Sequence, residues 1–160
     1  MAESILPVLT FLAALGSGLI AGTFFAFSAF VMGALSRLPA EQGAAAMQSI
    51  NVVVLNPWFL SVFMGTAAIC AALAAATLFG WRNGGGAILL VGCSLYVIGT
   101  FGVTIACNVP LNEALAAVDP ASDAATKIWS QYLVDWTFWN HVRSAASLGA
   151  MASFIAALAR

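Results

Sequence analysis

The sequence predicts an all-α membrane protein, a four-transmembrane-helix bundle that forms a single domain over residues 1–160. Hydrophobic residues make up 62% of the chain and charged residues only 7%, whereas about a quarter of the residues of a soluble domain are charged. Four apolar segments reach or exceed the roughly 20 residues that a helix needs to cross a bilayer. Such a chain cannot cover a water-facing surface, so we expect its main partner to be the lipid bilayer.

The four predicted spans are the apolar segments Ile5–Leu35, Pro57–Trp81, Ala87–Cys107 and Thr137–Ala159. The first span carries a small residue at every fourth position, at Ala14, Gly18, Gly22 and Ala26. A row of this kind lets a neighbouring helix backbone approach closely and permits self-association into a homo-oligomer.

The first connection, residues 36–56, predicts a short helix that begins after Pro39. Its apolar residues Ala44, Met47 and Ile50 recur every third position, which favours a helix that lies at the interface or is tucked back into the bundle. Asn56 precedes Pro57 and is predicted to cap the second span.

The connection before the fourth span, residues 108–135, is long and predicted to be partly helical. It holds a short predicted helix, Glu113–Val118, for which Asn112 is a candidate cap, and then the turn signal Asp119-Pro120. Ser122 is the candidate N-cap of the last helix. Neither proline nor glycine occurs from Asp123 until Gly149, so this helix is predicted to project beyond the bilayer as one rod.

Charge excludes one class of partner and indicates an orientation. A net charge of −1 argues against nucleic acid, which requires a basic surface. With four spans, Arg82 and Arg160 share one side of the membrane, and Arg37 and Lys127 share the other, so the positive-inside rule does not decide. Because the acidic residues gather in the two connections that hold Arg37 and Lys127, we expect those connections to be translocated. The N and C termini are then expected to be cytoplasmic, in a bacterial inner membrane.

Uncommon polar residues cluster on one predicted side of the membrane. They are Asn51, Asn56, Asn108, Asn112, Asn140, His141 and Arg143, with Tyr132, Trp136 and Trp139 among them. Strongly polar side chains within a span are costly unless they are paired or hydrated, so a shared polar pocket is favoured. The alternatives are helix capping, an interfacial aromatic belt, a structural histidine, and an Arg143 that reaches the head groups. Asp135 is a candidate partner for Arg143 or His141.

Helical geometry restricts this pocket. At ~100° per residue, Trp136, Asn140 and Arg143 share one stripe of the fourth helix, whereas His141 points about 160° away from Arg143. Both side chains therefore cannot face the centre of one small ligand. Either Asn140 faces the centre with the other two on its flanks, or one of the pair is structural.

The sequence lacks the residue patterns that metal binding, disulfide exchange, nucleotide binding and Ser-His-acid catalysis require. The chain has one histidine, and Cys70, Cys93 and Cys107 are dispersed without a Cys-x-x-Cys motif, so neither a metal site nor disulfide exchange is predicted. Phosphate-binding loops, nucleotide fingerprints and a Ser-His-acid arrangement are absent. We therefore expect no metal and no organic cofactor.

Four segments carry a family resemblance that runs over nearly the whole chain. SGLIAGTFFAFSAFVMGAL in the first span, MQSIN after it, NVPLNEAL after the third span and WNHVR in the fourth resemble the anthrone oxygenase family. The resemblance implies a four-helix membrane protein. For fungal members it implies oxidation of an anthrone to an anthraquinone by O2 without an evident cofactor.

That chemistry assigns roles to the clustered residues. His141 is the candidate base, because imidazole ordinarily exchanges its proton near neutral pH, and Asn140, Arg143 and Asn108 would hold the oxyanion. The remaining predicted substrate-binding residues are Trp136 and Trp139, which can stack on a flat ring, together with Asn51, Asn112 and Tyr132. The alternatives are a non-catalytic membrane protein that binds a small molecule, quinone or lipid, and a small transporter that works as an oligomer.

Overall fold

The computed structural model describes residues 2–80 and 86–159, and within these residues the chain forms five helices and no strand. Two of them contain π-helical turns. Helix α1 comprises Ala2–Ala26, the π-turn Phe27–Val31 and Met32–Leu35. Helix α2 is Ala40–Val53 and α3 is Pro57–Leu78. Helix α4 comprises Gly86–Ser94, the π-turns Leu95–Gly102 and Thr104–Asn108, and Val109–Ala116, and α5 is Asp123–Leu158.

Three of these helices are long and apolar enough to cross a membrane, namely Ile5–Leu35, Pro57–Leu78 and Gly86–Ala116. They confirm the prediction of an all-helical, integral membrane type of protein, and the first coincides with the predicted span. The predicted end of the second span at Trp81 and most of the turn that follows lie outside the described residues.

The third predicted span is wrong at its end. It was expected to stop at Cys107, with a separate helix from Glu113, but α4 continues through Asn108 to Ala116. Pro110 lacks an N–H donor and its ring crowds the preceding turn, and the wider π-turn Thr104–Asn108 lies directly before it, where helices accommodate such a disruption. Asn112 is consequently inside a helix and not a cap.

The other predicted helix starts are confirmed. The Asn56 Oδ1 atom accepts a hydrogen bond from Phe59 N at 3.0 Å, and the Ser122 Oγ atom accepts one from Ala125 N at 3.1 Å. Each satisfies a backbone donor that the helix itself leaves without a partner. From Asp123 onward α5 runs for 36 residues without interruption, as predicted.

Helix α5 packs along α1, α2 and α4, and α3 packs against α1 and α4. The predicted close approach of α1 to a neighbour occurs at Gly18, where an added Cβ would lie 2.9 Å from the Met151 sulfur of α5. It does not occur at Gly22, which is exposed and has no such neighbour within 4 Å.

Helix α2 folds back onto the N-terminal part of α5. Its Ala44 and Met47 are buried in one cluster with Trp129 and Leu115. The approach is close because Gly43 has no side chain, and a Cβ there would lie 2.9 Å from Trp129 Cζ2 and 3.0 Å from Leu35 O. This contact places α2 over the aromatic residues that begin the candidate site.

We expect Gly43→Ala to lower the free energy of unfolding by about 1–3 kcal/mol, because overpacking outweighs the roughly 0.5–1 kcal/mol that alanine gains in a helix. Thermal unfolding in detergent, followed by circular dichroism, measures the change. Gly33→Ala is the matched control, since an added Cβ at this helical glycine meets nothing within 4 Å. If both variants unfold at or above the wild-type temperature, the Gly43 contact does not limit packing.

Candidate functional site

The π-turns of α1 and α4 carry the polar side chains that face α5. Ser28 belongs to the π-turn of α1, and Thr104 and Asn108 belong to the second π-turn of α4. The first π-turn of α4 carries Thr100, whose hydroxyl pairs with the Ser147 hydroxyl of α5 at 2.8 Å. Single π-turns are frequent at functional sites because they change which side chains face a neighbour.

Arg143 is the charged centre of this region and is only 4% exposed. Its Nη1 donates to Thr104 Oγ1 at 3.2 Å, and its Nη2 donates to Asn140 Oδ1 at 2.7 Å. The guanidinium carbon lies 4.1 Å from the centre of the Phe24 ring and 5.1 Å from that of Trp136. The side chain therefore points into the bundle and not towards head groups.

No carboxylate within residues 2–80 and 86–159 forms an ion pair with Arg143. Asp135, predicted as a partner of Arg143 or His141, instead accepts a hydrogen bond from Gln131 Nε2 at 3.0 Å, so the predicted pairing with Arg143 is wrong. All the contacts of the guanidinium described here are with neutral groups. Two of its five N–H donors are therefore used in the hydrogen bonds described.

Asn140 connects the charged centre to α1. It is completely buried, and its Nδ2 donates to Phe24 O at 2.7 Å and to Ser28 Oγ at 2.8 Å. These two bonds use both amide protons, so the Oδ1 atom faces Arg143. Asn140 thereby fixes the position of the guanidinium relative to the π-turn of α1.

Asn108 approaches the same region from α4. It is completely buried, and its Nδ2 donates to Trp136 O at 3.2 Å. Four buried atoms of this region have no hydrogen-bond partner in the described part of the chain, namely Asn108 Oδ1, Trp136 Nε1, Thr137 Oγ1 and Arg143 Nε. Each is costly to leave without a partner, so the cluster is suited to a polar ligand or water.

A second polar network, which we call the outer network, lies beneath α2, nearer the N-terminus of α5 than Arg143. The Tyr132 hydroxyl donates to Asn112 Oδ1 at 2.7 Å and accepts from Asn51 Nδ2 at 3.4 Å. Burial raises the pKa of Tyr132, so the phenol stays protonated and remains a donor. The Tyr132 ring stacks on Trp136 at 5.8 Å between centres, which joins this outer network to the charged centre.

The structure thus separates the predicted site residues into three groups. Asn140, Arg143, Asn108 and Trp136 form the inner cluster, and Asn51, Asn112 and Tyr132 form the outer network. Trp139 is half-buried and contacts Phe138 edge-on, and Asn56 is a helix cap. His141 is exposed, which confirms the prediction that it and Arg143 lie on different faces of α5. Their catalytic roles stay predictions.

Three further residues of the inner cluster escaped the sequence analysis, namely Phe24, Ser28 and Thr104. Thr104 lies one turn before Asn108 on α4, a spacing that places both on one face. Ser28 lies in the otherwise apolar FFAFSAF, and isolated serines in apolar helices usually bond their own backbone. Only the spacing of Thr104 was available as a signal.

Two concave surfaces are candidate routes by which a ligand could approach the site. A cavity of about 240 Å³ is lined by Tyr132 and by Leu111, Ala114, Lys127, Ile128 and Gln131. An apolar groove of about 610 Å³ lies between α1 and the end of α5, and its lining includes Phe11, Gly18 and Met151. The first is adjacent to the outer network, and neither is lined by Arg143.

The fold and the cluster define a helical protein of the integral membrane type with a buried cationic, donor-rich centre. Among the described side chains, no three histidine, cysteine, aspartate or glutamate residues converge as metal ligands. The sequence profile of the anthrone oxygenases matches residues 58–153, which is more than half of the chain. The chain belongs to the anthrone oxygenase family. No curated protein and no solved structure matches it.

We expect Asn140→Ala to lower the free energy of unfolding by about 2–4 kcal/mol, because it leaves Phe24 O, Ser28 and the buried guanidinium without a shared partner. Thermal and denaturant unfolding in detergent measure this change. The adjacent His141→Ala is the control, and as a substitution of an exposed residue it should change stability by no more than about 0.5 kcal/mol. Equal effects of the two variants would contradict a structural role for Asn140.

Proposed function

We propose that this protein is a membrane-embedded oxygenase that uses O2 to oxidise a phenolic or anthrone-type aromatic to a quinone, without a metal or organic cofactor. The observation that carries the proposal is the Arg143 guanidinium, which is buried among neutral groups and retains donors that no described residue uses. Membership of the anthrone oxygenase family supports the same reaction class.

The charge of Arg143 suits an anionic intermediate. A buried cation is costly unless a negative charge or several hydrogen bonds compensate for it. A phenolate or enolate oxygen next to the guanidinium would supply that negative charge, and the low dielectric of the bundle would strengthen the attraction. Arg143 would therefore favour ionisation of the substrate, and Asn140 would hold the guanidinium in position.

The reaction balances with O2 alone. The substrate loses a proton to give an electron-rich anion, which transfers one electron to O2. The resulting radical and superoxide combine into a peroxide at the oxidised carbon. The proton lost in the first step returns to this peroxide, and loss of water then gives the quinone, so one anthrone and one O2 yield one anthraquinone and one water. The guanidinium would stabilise the negative charge of both the first anion and the peroxide.

Aromatic rings flank the proposed oxyanion site. Phe24 and Trp136 both face the guanidinium, and the Phe27 ring lies 5.6 Å from that of Trp136. These rings offer apolar surface and offset stacking to a flat polycyclic substrate. Trp136 would also present its Nε1 donor to a substrate oxygen.

The predicted base role of His141 belongs to this proposal as a separate step. His141 is exposed on another face of α5, so a proton from a substrate beside Arg143 would reach it only through water or after a movement of the substrate. Arg143 would favour the anion whichever group accepts the proton. The two roles are therefore separable by substitution.

We expect Arg143→Met, in folded protein, to lower the rate of O2 consumption with an anthrone by about 100-fold or more, because the loss of an oxyanion donor costs roughly 10²–10³ in rate. Oxygen uptake by purified protein, with quinone formation followed by absorbance, measures the effect. Arg37→Gln removes an exposed arginine and should retain the wild-type rate. His141→Ala tests the base role separately.

The outcomes distinguish the role of Arg143 from that of His141, and an enzyme from a binding protein. An unchanged rate for folded Arg143→Met would contradict the assignment of Arg143, and an unchanged rate for His141→Ala would contradict a base role for His141. Stoichiometric binding of an anthrone without any oxygen uptake would favour the alternative function, a non-catalytic binding protein. Stoichiometric iron or haem in active protein would contradict the cofactor-free reaction.

The membrane arrangement forms a further part of the proposal, with α5 as the fourth span over residues 137–159. The exposed apolar side chains Ile155 and Leu158 of α5 line one groove with Leu15 and Leu19 of α1, so both helices present apolar surface to the same medium. The helix α2 and the start of α5 would then lie on the side opposite the cytoplasmic termini. Association into a homo-oligomer and location in a bacterial inner membrane remain part of this arrangement.

The fourth span can be tested by labelling. Single cysteines in place of Thr126 and Ala159, in a variant without the three native cysteines, should react with a membrane-impermeant maleimide from opposite sides of sealed vesicles. Each position is exposed at one end of α5. Labelling of both from the same side would contradict a span by α5.

A further inference from the structure

We infer that Asn108 selects ligands that carry a free hydroxyl group in addition to the oxygen that the Arg143 and Trp136 donors bind. This inference rests on the proposed function and names its substrate class more narrowly. It starts from a buried acceptor, the Asn108 Oδ1 atom, which has no partner in the described part of the chain. The side chain is completely buried.

The hydrogen bond of Asn108 fixes which atom is available. Its Nδ2 donates to the backbone oxygen of Trp136 at 3.2 Å. A carbonyl oxygen only accepts, so the opposite orientation of the amide would place two acceptors against each other. The atom left without a partner is therefore an acceptor, and it calls for a donor on a ligand.

The hydroxyls of the two nearest threonines of α4 that precede Asn108 are engaged elsewhere. Thr104 Oγ1 donates its proton to Thr100 O at 2.8 Å and accepts from Arg143 Nη1 at 3.2 Å. The Thr100 hydroxyl is paired with that of Ser147. Asn108 Oδ1 is thus the acceptor that remains on the face of α4 turned towards Trp136 and Arg143.

Three of the four atoms without partners form a complementary set, and the fourth, Thr137 Oγ1, is a hydroxyl that can donate or accept. Arg143 Nε and Trp136 Nε1 are donors that suit an oxyanion or a carbonyl oxygen, whereas Asn108 Oδ1 suits a hydroxyl proton. A carboxylate, a phosphate ester or a quinone without hydroxyl groups satisfies only the donors. A phenolic aromatic whose hydroxyl is not bonded within the ligand satisfies both kinds of atom.

Selectivity should follow from the cost of a buried acceptor without a partner. A methyl ether at the position of the hydroxyl has no proton for Asn108 Oδ1 and adds a methyl group next to it. A site that bonds a ligand hydroxyl discriminates strongly against analogues that lack the donor. We expect the hydroxyl compound to bind about tenfold or more tightly than its ether.

The test compares 2-hydroxyanthraquinone with 2-methoxyanthraquinone. The hydroxyl of the first compound is too far from its carbonyl groups for an internal hydrogen bond. Calorimetric titration of the wild-type protein in detergent, with empty micelles subtracted, gives the two dissociation constants and their ratio. Asn108→Leu should reduce the ratio to about one. Asn56→Asp, which retains the cap of α3 and lies outside the inner cluster and the outer network, is the control and should retain the wild-type ratio.

Three outcomes overturn the inference, namely equal binding of the two probes by the wild type, binding of neither, and an unchanged ratio in folded Asn108→Leu. The wild-type comparison decides even if that variant fails to fold. The ratio requires no oxygen chemistry, so it can hold in a protein that consumes no O2. Conversely, oxygen uptake that depends on Arg143 together with equal probe binding would support the proposed function and reject the role of Asn108.

Discussion

The contact between Asn140 and Arg143 is the interaction on which the rest of the site depends. Arg143 Nη2 donates to Asn140 Oδ1 at 2.7 Å, while the amide group of Asn140 bonds to Phe24 O and Ser28 Oγ of α1. The guanidinium also reaches Thr104 of α4. One asparagine and one arginine therefore connect three helices, and hydrogen bonds to neutral groups together with two aromatic rings set the position of a buried cation.

Much of this arrangement could be predicted from the period of an α-helix. Trp136, Asn140 and Arg143 were expected on one stripe of α5, and all three are buried, whereas His141 is exposed. The caps Asn56 and Ser122 were equally accessible, because their preferences are local. The path of α4 could not be predicted in this way, because Pro110 signals the end of a helix. The π-turn before it accommodates the proline, and the helix continues. Local rules of that kind carry no information on tertiary packing.

The inner cluster was predicted only in part for a similar reason. Asparagine, arginine and tryptophan are conspicuous in an apolar helix, but threonine and serine are common there and bond their own backbone by default. Thr104 and Ser28 acquire their roles from the side chains opposite them on α5, and Phe24 contributes a backbone oxygen as well as its ring. The division into an inner cluster and an outer network likewise depends on how α2 packs against α5.

The stacked aromatic rings of α5 give the site an optical signature of its own. Trp129, Tyr132 and Trp136 stack in sequence with ring centres 5.7 Å and 5.8 Å apart, and Trp136 adjoins the guanidinium, whereas Trp58 is 87% exposed. The fluorescence of an indole responds to nearby charge and to water. Emission from Trp136, isolated by replacing the other tryptophans, would therefore report directly on the electric field and hydration at the charged centre.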